Sequence, residues 1–402
     1  MNTQEWIDMA NHSLFGNIRP AQIVFTEGHG CRVSDVEGRH YLDLCAGIAV
    51  VSVGHGHPQL ADAIATQARR LMHVSNLFYN DRCIALADAM VKQTGFGRMF
   101  FCNSGAEANE ALLKLARRHH YDKGDKARTR IVATLNSFHG RTMGALSMTG
   151  QTKYHEGMAP LVGDIDHVPY GDLEAMKAVV NEKTAAVLVE PVQGEGGVVV
   201  PPEGYLQGLR QLCDERGALL LFDEVQTGYG RTGRFLAREW SDVWPDACAL
   251  AKGIGGGFPL GAMAVSEALA NALPPGTHAT TYGGNALAAA AGLAILEIVE
   301  REQLVQRAEQ RGNYLAQKLA AIAADPAIPA AVSSRGVGLL QGLVLAPSVL
   351  PAAVLADIRD QGVLLSLAGG NVLRFTPPLC VSEAELDEGL AVVRQVLGKV
   401  AL

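Results

Sequence analysis

Ala218-Leu-Leu-Leu-Phe-Asp-Glu-Val-Gln226 and Ala247-Cys-Ala-Leu-Ala-Lys-Gly-Ile-Gly-Gly-Gly257 decide the fold. Each is a short apolar run that stops at a charged side chain, Asp223 in the first and Lys252 in the second. A continuous apolar run of this length suits a strand buried on both faces, as in a parallel sheet covered by helices. In an open α/β sheet the C-terminal strand ends border one crevice, where ligands bind. An amine and a carboxylate are therefore expected at that crevice. A structural ion pair would look the same in isolation, because strand ends often carry one. The neighbouring motifs separate the two readings.

The same rhythm extends outward from these strands. Strands are predicted at 99–103, 130–134, 185–190, 219–223, 247–251 and 261–265. Helical periodicity fills much of the space between, at 58–71, 82–94, 106–121 and 204–216. Such alternation predicts a mostly parallel sheet with helices on both faces. Ahead of it, residues 21–45 read as short strands, with a hairpin turning at Glu37-Gly38. Behind it, one long helical pattern covers 286–322, followed by α+β patterning: 339–345, a helix at 352–361, 372–375, and a last helix after Ser382. Ser382 with Glu385 forms a capping box for that helix. The N-terminal strands and the C-terminal quarter are expected to meet in one small domain.

Composition narrows the function classes. Of 402 residues, 48% are hydrophobic and 19% charged, the balance of a globular protein with a large core. A net charge of −7 without a basic cluster argues against a nucleic-acid surface. Seven dispersed cysteines, with no Cys-x-x-Cys pair, read as reduced thiols of a cytoplasmic protein. The start of the chain lacks the basic and apolar regions of a secretory signal. The longest apolar stretch, Ala286 to Leu296, ends at Glu297 and is too short for a membrane span. His55, His57, His119 and His120 lack a third ligand at metal spacing, so no metal is expected.

Five motifs carry chemistry. Asn103-Ser-Gly-Ala-Glu-Ala-Asn109 follows a strand and opens a helix, where free N–H groups favour an anion; Ser104 and Glu107 would also serve as an ordinary capping box. Ser137-Phe-His-Gly-Arg-Thr142 offers Phe138 to a flat ring and Arg141 to a carboxylate. Glu190-Pro-Val-Gln-Gly-Glu-Gly-Gly197 brings two acids to the crevice, which need partners or altered pKa values. Asp223-Glu-Val-Gln226 ends the central strand, and Thr280-Thr-Tyr-Gly-Gly-Asn285 offers hydroxyls before the long helix. Leu219 to Glu224 also resembles a Walker B strand, but no Gly-x-x-x-x-Gly-Lys-Ser/Thr loop accompanies it. No Gly-x-Gly-x-x-Gly follows the first strand, which disfavours a dinucleotide enzyme.

In this order and spacing, from about Ile23 to about Leu379, the motifs resemble the class III pyridoxal-phosphate aminotransferases, the ornithine-aminotransferase-like group. Gly54-His-Gly-His-Pro58 and Leu373-Arg-Phe-Thr-Pro-Pro-Leu379 are most similar to its acetylornithine subgroup. The resemblance implies an α/β fold of fold-type I: a large PLP-binding domain at 58–285 with a mostly parallel seven-stranded sheet, and a smaller α+β domain from both chain ends, 1–57 and 286–402. It implies that Lys252 forms the Schiff base and moves the proton, and that Asp223 holds the pyridine nitrogen protonated. Gln226 would meet the ring's phenolic oxygen, with Phe138 and Val225 on the two ring faces. Ser104, Gly105 and Ala106 would hold the phosphate, and Thr281 would reach it from the second subunit of a homodimer. Arg141, Arg374 and Thr280 would bind substrate, and Glu195 would pair with Arg374 until glutamate displaces it. Glu190 would support the cofactor's surroundings. The implied reaction moves the terminal amine of N2-acetyl-L-ornithine to 2-oxoglutarate. Succinylornithine, ornithine, succinyl-diaminopimelate and 4-aminobutyrate are rival donors, the last suggested by Ile18 where ornithine-type members carry Tyr. Decarboxylation, mutation or epimerisation on the same fold is disfavoured by Arg141, Glu195 and Arg374 occurring together. A non-catalytic binding protein would be expected to have lost Lys252 or Asp223.

Overall fold

The computed structural model describes residues 1–400. Three strands come first, β1 (Phe25–His29), β2 (Arg32–Asp35) and β3 (His40–Asp43). The expected hairpin joins β2 to β3: Gly38 takes φ +78°, and its N–H donates to the Asp35 carbonyl at 3.0 Å. A residue without a Cβ adopts that conformation freely.

Seven strands then build the large sheet: β4 (Arg98–Cys102), β5 (Arg130–Thr134), β6 (Ile165–Val168), β7 (Thr184–Val189), β8 (Leu219–Asp223), β9 (Ala247–Leu250) and β10 (Gly261–Val265). Their order is β4-β10-β9-β8-β7-β5-β6. Only β10 runs antiparallel to its neighbours. All residues of β7, β8, β9 and β10 are buried, which is why their sequences show no alternation. The six predicted strands fall within one residue of these positions. The seventh, β6, reads Ile165-Asp-His-Val168 and lies at the sheet edge, where half-exposed polar residues interrupt the apolar signal.

The C-terminal part adds β11 (Ala331–Val337), β12 (Leu340–Leu345), β13 (Val363–Leu364), β14 (Ser366–Ala368) and β15 (Val372–Phe375). Four of them form an antiparallel sheet in the order β11-β12-β15-β14. β13 pairs in parallel with β3, so the two ends of the chain share a sheet. Ser382 and Glu385 make the capping box as read: each side chain accepts from the other's backbone N–H, at 2.8 and 3.2 Å.

One expectation fails. The helix expected to run through 286–322 is two helices, Ala286–Arg301 and Leu304–Ala323, with Gln303 at φ +53° between them. The first packs on the helices Pro58–Arg70 and Asp81–Thr94, the second on β11 and β12. Apolar spacing reports which face is buried, and both helices bury one, so the change of axis leaves no trace in the periodicity.

A left-handed conformation costs a non-glycine residue about 1–2 kcal/mol, partly offset in glycine by its larger unfolded-state entropy. Gln303→Gly is expected to stabilise the protein by about 0.5–1 kcal/mol, read as a higher urea midpoint at unchanged m-value. An unchanged or lower midpoint would show that the Gln303 side chain compensates the strain.

Candidate active site

The C-terminal ends of β5, β7, β8 and β9 border a cavity of about 420 Å³. Asp223, the last residue of β8, is buried on its wall. Its Oδ2 accepts from Asn109 Nδ2 at 2.8 Å and lies 2.7 Å from His139 Nδ1; its Oδ1 accepts from the Val225 N–H at 3.0 Å. A carboxylate only accepts, so the imidazole contact puts a proton on Nδ1. His139 Nε2 and Asn109 Oδ1 are buried without partners.

Lys252 leaves β9 with φ +50°, and its side chain lines the cavity. Among the described residues it forms no ion pair with Asp223: Asp223 is engaged by His139 and Asn109, and Glu195 by Arg374. Burial pushes the Lys252 amine below its ordinary pKa, against the opposing pull of Glu195.

The helix Gly105–Asp122 points its N-terminus at the same cavity. Ser104 accepts from the Glu107 N–H at 3.2 Å, but the Glu107 carboxylate reaches the Asn103 N–H, at 2.7 Å, in place of the Ser104 N–H of the expected box. The first-turn N–H groups of Gly105 and Ala106 have no acceptor within the helix. Backbone comes close here because glycine permits it. A Cβ on Gly105 would sit 2.8 Å from Val225 Cγ1, and one on Gly140 2.6 Å from the Ala106 Cβ. Free N–H groups at a helix N-terminus, a lone amine and a buried carboxylate are the donor set that a phosphorylated, aldehyde-bearing pyridine requires.

Glu190, one residue beyond β7, accepts from the N–H groups of Phe138 and Gly194, both at 3.0 Å. Burial pushes its pKa up to about 7; His139 opposes that rise and Asp223 adds to it. Glu195, later in the same loop, pairs with Arg374 Nη1 at 2.5 Å. Gln226 joins them: its Nε2 donates to Glu195 at 3.4 Å and its Oε1 accepts from Arg374 at 3.2 Å. Burial raises the Glu195 carboxyl, but Arg374 and Lys252 together outweigh it and hold the pKa below the ordinary value. Arg374, on β15, is 1% exposed.

Phe138, Arg141 and Val225 line the cavity, with the exposed Arg141 guanidinium stacked over the Tyr154 ring at 3.7 Å. Thr280 stands one hydrogen bond behind the wall, its Oγ1 accepting from Asn103 Nδ2 at 3.1 Å. Thr281 is exposed, and neither it nor Ile18, which is 72% exposed, is among the residues that line the cavity. Asn109 and His139 had no assigned role in the sequence reading, although both sit inside its motifs. The available signal was a polar residue one turn into a helix behind the sheet and a histidine directly after Phe138. His55 pairs with Asp43 and His57 with Glu302, and no group of three or more metal-ligating side chains occurs among the described residues. No helix among them is long and apolar enough to cross a membrane.

The profile of the family described as aminotransferase class-III matches residues 16–397. The acetylornithine aminotransferase of Gloeobacter violaceus is 48% identical over 94% of this chain and 94% of its own length. That of Methanothermobacter thermautotrophicus is 41% identical over 99% of each. Among solved structures, the ornithine aminotransferase of Toxoplasma gondii, whose description records partial PLP occupancy, superposes with a TM-score of 0.94 at 32% identity, covering 98% of this chain and 94% of that one. The acetylornithine aminotransferase of Elizabethkingia anophelis gives 0.88 at 30% identity, over 99% of both.

The raised pKa of Glu190 has a consequence for folding. Between the ordinary 4.5 and about 7 the folded protein holds a proton that the unfolded chain releases. Glu190 thus stabilises the fold fully below pH 4.5, and that contribution is lost as pH rises towards 7. Urea midpoints measured across this window should fall for the native chain relative to Glu190→Gln. Parallel pH profiles for the two proteins would show that Glu190 does not titrate there.

Proposed function

The chain belongs to the class-III aminotransferases, and we propose that it transfers the terminal amino group of N2-acetyl-L-ornithine to 2-oxoglutarate in arginine biosynthesis. Its family makes it a pyridoxal-phosphate-dependent enzyme that takes an amino donor and a 2-oxo acid. The observation that carries the proposal is the pairing of Arg374 with Glu195 beside Lys252, which has no ion-pair partner among the described residues. The acetylornithine aminotransferases at 41% to 48% identity support the choice of donor.

Two unlike substrates must use one cavity in turn. The donor's reacting end carries no carboxylate, and Glu195 then neutralises Arg374. The α-carboxylate of 2-oxoglutarate takes the place of Glu195, forming the stronger two-point contact that guanidinium geometry allows. Arg141, at the rim, binds the carboxylate at the far end of either substrate.

The Ser104, Gly105 and Ala106 backbone would hold the cofactor phosphate, Asp223 its ring nitrogen, Gln226 its ring oxygen, and Phe138 and Val225 its faces. Lys252 would hold its aldehyde carbon. Bound there, the cofactor supplies an acceptor for the electron pair left when the donor loses its Cδ proton. Asp223 keeps the ring nitrogen protonated, and His139 and Asn109 orient Asp223. The Lys252 amine would carry the proton away from Cδ; a lowered pKa leaves more of it in the neutral form that a base requires. Thr280 would steady Asn103 at the substrate side of the wall.

The reading includes a homodimer in the cytoplasm. Leu77, Phe78 and Tyr79 form an exposed apolar run that suits burial against a second copy, and Thr281 lies off its own cavity, where a second copy could use it. All seven cysteines are free, as a reducing compartment requires.

The purified protein is expected to show a band at the violet edge of the visible spectrum. Acetylornithine should bleach it and 2-oxoglutarate restore it. Lys252→Ala should lose turnover by about a thousandfold or more while still retaining the cofactor. Bleaching by 4-aminobutyrate, ornithine or succinylornithine in place of acetylornithine would replace the donor. No band after adding pyridoxal phosphate would end the proposal.

A further inference from the structure

Arg231 lies outside the cavity and is 2% exposed, yet no carboxylate pairs with it among the described residues. Its only acceptors are main-chain carbonyls. Nη1 donates to Leu339 O at 3.0 Å and to Pro377 O at 2.6 Å, and Nη2 is buried without a partner. Burial pushes its pKa down to about 9, so it remains cationic at neutral pH. A buried cation without a counter-charge is costly, and an apolar residue of similar volume would serve the core better. The location of the two carbonyls gives the charge its use.

Leu339 stands immediately before β12, and Pro377 two residues after the end of β15. These strands are antiparallel, with Gly342 opposite Arg374 and Gln341 opposite Phe375. The start of β12 and the end of β15 therefore lie side by side, and one guanidinium bridges them. The Leu339 N–H also donates back to Arg231 O at 2.9 Å. The adjoining turn has no slack: a Cβ on Gly338 would fall 2.2 Å from the Thr232 carbonyl carbon. Arg231 sits five residues after Gln226, whose amide meets the far end of Arg374. The segment 226–231 thus holds Arg374 at both ends, by its guanidinium and by its strand.

We propose that Arg231 is a positioning residue for recognition of the 2-oxo acid: it fixes the β12–β15 strand pair against the loop after β8 and so sets where the Arg374 guanidinium stands. The inference rests on the reading that Arg374 binds the α-carboxylate of 2-oxoglutarate. It predicts a selective effect, because the donor does not use Arg374.

The test compares Arg231→Met, Arg231→Lys and Arg374→Lys in the full-length holoenzyme. Arg231→Met should raise the KM for 2-oxoglutarate by about tenfold, the order expected for weakening one charge-assisted contact. Glutarate, a dicarboxylate that cannot react, should bind about tenfold more weakly by calorimetry. The KM for acetylornithine and the rate at which it bleaches the visible band should change less than about twofold. Arg231→Lys, which can still reach a carbonyl, should recover part of the loss. Equal changes for both substrates, or none, with Arg374→Lys still raising the KM for 2-oxoglutarate, would overturn the role of Arg231 alone. An unchanged KM in Arg374→Lys would overturn the assignment of Arg374, and the role of Arg231 with it. If Arg231→Met does not fold, Arg231→Lys carries the same comparison: a selective rise for 2-oxoglutarate supports the proposal, and uniform kinetics refute it.

Discussion

Hydrogen-bonded in parallel, β8 and β9 set Leu221 opposite Ala247 and Asp223 opposite Ala249. Lys252 follows β9 on the same edge, so the carboxylate and the amine reach one crevice without touching. This spacing depends on a strand register, and register is well defined where every residue is buried, because a one-residue slip would reverse every side chain. Both strands are buried throughout. The rest of the site is arranged around that offset. β7 brings Glu190 from one side, β4 leads into the helix that begins at Gly105, and the loop after β5 brings Phe138 and His139 across.

The acids divide into two separately hydrogen-bonded groups, and Lys252 belongs to neither. Asp223 is satisfied by His139, Asn109 and a backbone N–H; Glu195 is satisfied by Arg374 and Gln226. Glu190 completes the pattern differently. It accepts from two backbone N–H groups, and burial raises its pKa to about 7, so much of it carries no charge at neutral pH.

What the sequence made legible follows from the range of each signal. Apolar runs and periodicity act over a few residues, and they located six strands of the large sheet and the four helices predicted around them, but not the short helices Met143–Met148 and Leu173–Val179. β6 escaped because an edge strand can carry Asp166 and His167. The break at Gln303 escaped because both helices it separates remain amphipathic. At the site, residue types at the strand ends pointed to Lys252, Asp223 and Glu195, and the family resemblance added Arg374. The Glu195–Arg374 pair came with the resemblance, but the partners of Asp223 were not visible: Asn109 is 114 positions from Asp223, and His139 is 84. Only the folded chain brings such pairs together. The misread capping box has a local cause. Ser104 and Glu107 have the right spacing, but Asn103 competes for the carboxylate, and its success keeps the helix N-terminus open to an anion.

Arg374 shows how a site can span two sheets and still hold its geometry. It projects from β15 of the antiparallel sheet, whereas Asp223 and Lys252 belong to the large one. A guanidinium selects a carboxylate by direction as well as charge, so a small relative shift of the sheets would weaken recognition. The loop carrying Glu195 is tied to the antiparallel sheet directly. The Gly369 N–H donates to Glu195 O at 2.9 Å, and Arg335 Nε donates to Gly197 O at 2.8 Å. The loop after β8 is tied to the same sheet through Arg231. Both attachments end on backbone carbonyls, which do not titrate near neutrality. The frame around Arg374 is therefore anchored independently of the Glu195 side chain, whose carboxylate makes its own separate contact with the guanidinium.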